Sequence, residues 1–346
     1  MSPGETVNDQ RYSFEFAGDL AFRLERRMQE HGVSVRPGSR LDAIVLSILQ
    51  TVESSRNPPS ADNADIRSEF RVMIGMSDLA ANLLSVGSAP AFATLVPHLK
   101  LLNEGSPMQN VATLFDDAAN KIFELLVACW AMRAGLEVAI ESPRGGRKSV
   151  NPDVLVTLEA ERWGLACKVP LSSNPKSIAD LIESGARQLI ATPGIVRGLV
   201  VLNFRNVIEH DRYWHMVGTA GSASPPPIFS AFSSLDDAVA VVQADVEELV
   251  GRVAKEIAAR GLVALATEEL DIAGFLVFAH TAVGVVRTLP RLQPGFPVGD
   301  VWTGPMPTSV KVRFAAVFIE QSGGNARRIH SLADEAALSP LELLGR

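Results

Sequence analysis

The run Gly198-Leu199-Val200-Val201-Leu202-Asn203-Phe204 constrains this chain more than any other segment. Its continuously apolar centre leaves no side for solvent, so the sequence predicts a strand buried on both faces. Strand-like runs precede it at Glu137–Glu141, Val154–Leu158 and Trp163–Val169. A helix is predicted from Pro175 to about Ile190, with Ser173 or Asn174 as its cap and Pro175 in the first turn. Upstream, Thr113 to Arg133 reads as a helix, with Thr113 as a cap and Gly135 as a stop. Its apolar residues, from Ile122 and Phe123 to Trp130 and Met132, wrap most of the circumference, which predicts burial on more than one side. The expected order is helix, three strands, helix, strand, an α/β arrangement.

Helical patterning extends over most of the first third. Leu41, Ile44, Val45, Ile48 and Leu49 recur at amphipathic spacing, and further helical segments are predicted near Phe70–Val86 and Pro90–Leu102, the latter broken or kinked at Pro97. This part carries no constellation that suggests chemistry. Residues 1–108 are read as a helical accessory region, 109–220 as the core, and 221–346 as an α/β extension packed on it. That extension is predicted to hold a helix from Leu235 to Arg260 and strands at Gly274–Phe278 and Val310–Ile319, separated by a loop from Pro290 to Pro307.

Lys+Arg 32 against Asp+Glu 39 gives a net charge of −7, and 47% of the 346 residues are apolar, which excludes a disordered tail or a basic coat protein. Cys129 and Cys167 are the only cysteines, too few for a disulfide framework or a four-thiolate zinc site. The N-terminal residues lack a secretion pattern. The longest apolar run, Ile272 to Val286, falls short of the roughly 20 residues that span a bilayer. The sequence therefore predicts a soluble, cytoplasmic protein with no membrane partner.

Four features of the middle third form one pattern. Glu124 lies within the apolar helix, with Asn120 one turn earlier; Asp153 follows Pro152 at a strand start; Lys168 ends the next strand; Gln188 lies on the following helix. This pattern resembles the PD-(D/E)xK nuclease superfamily, whose restriction-endonuclease-like core combines a helix Glu, a Pro-Asp, an acidic-x-Lys and a helix Gln. The resemblance covers about Asn120 to Phe204. It departs at one position, because Ala166 stands where the family has an acid two residues before the lysine.

The resemblance implies catalytic roles for Glu124, Asp153, Lys168 and Gln188, around Mg²⁺ or Mn²⁺. The ion would be held by Asp153, by the Cys167 carbonyl and by Glu124 through water, and held weakly unless Ala166 is compensated. Lys168 would position the nucleophile. Phosphodiester hydrolysis draws on such an ion to polarise the phosphoryl oxygen and lower the pKa of a bound water. If residues 159–162 form the hairpin turn, paired positions set Asp153 opposite Lys168 and Leu155 opposite Ala166. Asp153, Ala166 and Lys168 then project from one face. Glu159 and Glu161 lie too far along the strand to replace the missing acid, whereas Glu141 or Glu183 would need the fold to bring them close. The Cys167 side chain is predicted on the opposite face, as a core thiol. His210 and His215 are read as surface or packing residues.

The expected function is a divalent-metal-dependent nuclease hydrolysing DNA, acting in restriction or defence, with RNA as an alternative substrate. The competing expectation is a catalytically inactive nuclease-fold protein that serves nucleic-acid binding or assembly. The basic loop Arg144–Lys148 would contact phosphate. From Glu137 to His215 the charge is only +1, from 10 basic and 9 acidic residues, so charge alone predicts no strong nonspecific DNA affinity. The helical accessory region would support a homodimer or bind a protein partner.

Overall fold

The computed structural model describes residues 13–56, 67–143, 152–158, 160–214, 216–217, 228–229, 231–262, 271–290, 301–317 and 331–345. The predicted buried strand is present as β4 (Arg197–Asn203), inside a six-stranded mixed sheet. β2 (Val154–Leu158) pairs antiparallel with both β1 (Glu137–Ile140) and β3 (Glu161–Lys168), and β3 pairs parallel with β4. β5 (Met216–Val217) and β6 (Ile228–Phe229) form a separate small ladder. β7 (Asp271–Pro290) pairs parallel with β4, and β8 (Val301–Val317) closes the order β1-β2-β3-β4-β7-β8.

Alternation along the central strands divides the core in two. Leu165, Cys167, Leu199, Val201, Leu276 and Phe278 face one apolar cluster, while Ala166, Val200, Leu202, Phe275 and Val277 face the other. The first cluster is capped by α5 (Asp117–Arg133), which is buried nearly all round as its composition predicts. Trp130 sits against Phe278 at a centroid distance of 5.0 Å, and its indole N–H donates to Asn82 Oδ1 at 3.1 Å. Burying each such side chain stabilises the fold by about 1.5–3 kcal/mol. The second cluster lies under α6 (Pro175–Ile190) and α7 (Leu235–Ala259), the two crossover helices.

α1 (Phe14–Glu30), α2 (Arg40–Arg56), α3 (Arg67–Ser85) and the short α4 (Val96–Leu99) make up the N-terminal third. Leu20, Leu24, Met76 and Leu99 belong to the same apolar cluster as α5 and the sheet, so these helices share the central core. The segment from Pro90 breaks into 3-10 turns on either side of α4, whose first turn holds Pro97. A helical stretch over 331–337, α8, and α9 (Pro340–Gly345) pack on the α3 side. Among the described residues no helix is long and apolar enough to cross a membrane.

Several local expectations need correction. Helix α5 begins at Asp117, and its cap is Asp116, whose carboxylate accepts from Ala119 N, rather than Thr113. Gly135, at φ 78°, follows its end as expected. The β2–β3 hairpin pairs Leu158 with Glu161 and Val154 with Leu165, two residues away from the expected register. Ala160 allows the tighter turn by adopting φ 68°. A slip of two preserves the face of every side chain, and carried one step further it sets Asp153 beside Ala166 instead of Lys168. The loop expected to reach Pro307 ends sooner, because β8 is already paired from Val301, and residues 291–300 lie outside the described residues. β8 is the sheet edge, where Pro305 and Pro307 are tolerated.

Candidate active site

The end of β3, the residue before β2 and one face of α5 meet at a single polar cluster. Asp153 is buried, and its Oδ2 accepts from the backbone N–H of Cys167 at 2.7 Å, which locks the carboxylate against the neighbouring strand. Lys168, at the strand end, holds its Nζ 3.9 Å from the same oxygen and donates to Gln188 Oε1 at 2.6 Å. Gln188 is presented by α6, whose start is set by Asn174 accepting from Lys176 N and by Pro175 in the first turn. Glu124 comes from the opposite layer. Its helix is pinned to the sheet by buried Arg205, which donates to the Ala119 carbonyl at 3.0 Å and to Asn120 Oδ1 at 2.8 Å. Asn120 therefore serves the anchoring of α5.

Lys121 joins the two acids. Its Nζ lies 2.8 Å from Glu124 Oε1 and 3.6 Å from Asp153 Oδ1. The family pattern has no place for it, although helix periodicity puts a residue three before Glu124 on the same face. His98, from α4, is wholly buried with Nε2 3.7 Å from Glu124 Oε2, and among the described residues neither ring nitrogen has a hydrogen-bond partner. Nothing in the sequence near His98 signals this placement, which depends on the packing of α4 against α5.

Burial governs the electrostatics. It pushes the Glu124 carboxyl up to about 8, assisted by Asp153 and opposed by Lys121. Burial and then Lys121 lower His98 to about 4, leaving a neutral ring. Burial also opposes the Lys121 charge, but Glu124, Asp153 and Glu141 outweigh it and raise its pKa. The Cys167 thiol is driven well above its ordinary value by burial and by Asp153 and Glu124. It packs in the apolar cluster on the α5 side, opposite Ala166.

The position of the missing acid has its own packing logic. Ala166 is fully buried beneath α6, where a Cβ on Gly185 would come 3.4 Å from the Ala166 Cβ. Of the acids considered as substitutes, Glu141 lies near enough to act on Lys121, and its N–H donates to the Asp153 carbonyl at 3.1 Å. Glu183 turns away to Arg187 at 2.7 Å, and Glu161 pairs with Arg197 at 3.2 Å. His210 is a packing residue, bonded to Thr281 Oγ1 and the Arg205 carbonyl. Arg144–Lys148 and His215 lie outside the described residues.

Known proteins offer no guide. No protein-family profile, curated protein or solved structure matches this chain. The case for a metal rests on the donor set. Glu124 and Asp153 both approach one ammonium, at 2.8 and 3.6 Å, which makes them the two carboxylates that would share a cation. Magnesium commonly takes one or two protein carboxylates and keeps several waters, which suits this pair. Among the described residues no three His, Cys, Asp or Glu side chains are grouped for a metal, so water and backbone carbonyls would complete the shell.

Proposed function

We propose that this chain is a divalent-metal-dependent nuclease of the PD-(D/E)xK type, hydrolysing DNA phosphodiester bonds at the Glu124–Asp153–Lys168 cluster. The observation that carries the reading is the convergence of side chains distant in sequence. Glu124, Asp153, Lys168 and Gln188 arrive from four elements, α5, the lead into β2, β3 and α6, within one network of contacts. The element order α5-β1-β2-β3-α6-β4 supports a restriction-endonuclease-like core.

In this reading Asp153, Glu124 and the Cys167 carbonyl hold Mg²⁺ or Mn²⁺. The ion supplies Lewis-acid polarisation of the phosphoryl oxygen and a more acidic bound water. Asp153 is oriented for its task by the Cys167 N–H. Lys168, fixed between Asp153 and Gln188, presents a cation that orients the attacking water and offsets charge developing on the phosphate. Gln188 holds that ammonium in place.

Purified protein should nick plasmid DNA in Mg²⁺ or Mn²⁺, and Asp153→Ala and Lys168→Ala should each lower the rate by on the order of 10²–10³-fold. Undiminished cutting by both variants removes the site assignment. A second reading, an inactive nuclease-fold protein that binds nucleic acid, draws on Ala166 and on the Lys121 ammonium between the carboxylates. It predicts DNA retention in a mobility-shift assay with no cutting at any divalent concentration.

A further inference from the structure

We propose that Lys121 is an internal cation holding the metal's place, and that it sets the divalent-ion concentration at which the site loads. This inference rests on the nuclease reading and concerns the same site. A metal bound to both Glu124 and Asp153 must lie about 2.0–2.1 Å from an oxygen of each, hence in the space between them. Lys121 Nζ already occupies that space, at 2.8 and 3.0 Å from the two Glu124 oxygens and 3.6 Å from Asp153 Oδ1.

Charge arithmetic points the same way. With both acids ionised, two carboxylates face two ammoniums, Lys121 and Lys168, so the cluster is balanced as it stands. A metal would need a surplus negative charge in the cluster to neutralise. Ala166 leaves none, and a divalent ion added beside Lys121 would meet an unbalanced cation in a largely buried setting. One ammonium has to leave. Lys168 is tied to Gln188 at 2.6 Å and its side chain is 18% exposed, whereas the Lys121 side chain is 32% exposed and its partners are the two acids the metal would take. Lys121 is therefore the cation that yields, by rotating its stem towards solvent.

The test is Mn²⁺ binding to the full chain without DNA, followed by calorimetry. Lys121→Met keeps the length of the stem and removes the charge; Lys121→Gln serves if the methionine variant unfolds; Lys121→Arg keeps the charge. Expected are Mn²⁺ affinities at least about tenfold tighter in the Met and Gln variants, a wild-type affinity in the Arg variant, and loss of binding when Asp153→Asn is added. Equal affinities in wild type, Met and Gln variants overturn the role of Lys121 and leave the nuclease reading standing. Absence of Asp153-dependent Mn²⁺ binding in every protein overturns both.

Discussion

The Glu124–Asp153 cluster and a second cluster around Asp78 hold the same kinds of side chain in different settings. In the second, Lys311 on β8 pairs with Asp78 on α3 and donates to the Leu338 carbonyl at 2.7 Å. His280 on β7 places Nε2 2.9 Å from Ser309 Oγ and Nδ1 3.8 Å from Asp78 Oδ2. One acid meets one lysine there, and four segments of chain are tied together. The Lys311 side chain is 5% exposed, against 32% for Lys121. In the first cluster two acids share a lysine that reaches solvent, a second lysine is steered by an amide, and among the described residues His98 has no hydrogen-bond partner at either nitrogen. An ion pair alone thus says little about function. A closed pair between distant segments locks the fold, whereas carboxylates sharing one displaceable cation retain capacity for a ligand.

The sharpest way to break this contrast is to remove each lysine's charge. Lys311→Met leaves Asp78 buried without its ammonium and should cost about 3–5 kcal/mol in a urea melt. Lys121→Met should cost about 1 kcal/mol or less, because the pair is open to water on the lysine side. Without the Lys121 ammonium, which opposes the upward push of burial, Glu124 is left to take up a proton, so the variant carries no bare buried charge there. Similar losses in the two variants would make the Glu124 cluster another fold-locking pair.

The next effect concerns Ala166. An acid placed there should not strengthen the proposed site, because the side chain must enter the layer between β3 and α6 at Gly185 and Val200. Ala166→Glu should cost about 3 kcal/mol from overpacking and carboxylate burial, with nuclease activity no higher than wild type. A variant that folds as stably as wild type and cuts faster would show that the position is open to the site.

Much of this arrangement was legible in the sequence, for reasons that can be named. Helix α6 was readable to its ends because Asn174 and Pro175 mark its start. Leu155 and Ala166 still share a face despite the shifted register, because side-chain alternation has a period of two. The turn itself was not readable, since Ala160 adopts a left-handed conformation without a glycine or asparagine to announce it. Prolines near β8 suggested a loop because sequence does not reveal which strand will form the edge. Lys121 was within reach of helix periodicity, but His98 was not: only the packed core brings residue 98 to residue 124.

The smallest effect separates the clusters by pH. His280 is held at about 3, chiefly by burial and further by Lys311 against the pull of Asp78, and His210, beside it in the core, is held by burial at about 4. Both titrate at about 6.5 in an unfolded chain. Above that value neither state carries the proton, and the titration of either histidine adds nothing to stability. As pH falls below it, the unfolded chain takes up protons that the fold refuses, so stability drops, and at pH 5 each contributes a loss of about 2 kcal/mol relative to pH 8. Substituting a side chain that does not titrate removes that loss while sparing the Asp78–Lys311 pair. His280→Gln should therefore lower stability at pH 8, where the Ser309 contact is disturbed, yet lose about 2 kcal/mol less than wild type between pH 8 and pH 5. Urea melts at the two pH values read this difference directly. An unchanged pH dependence would mean that His280 is already protonated in the fold, and the second cluster would then carry an excess cation in place of a balanced pair.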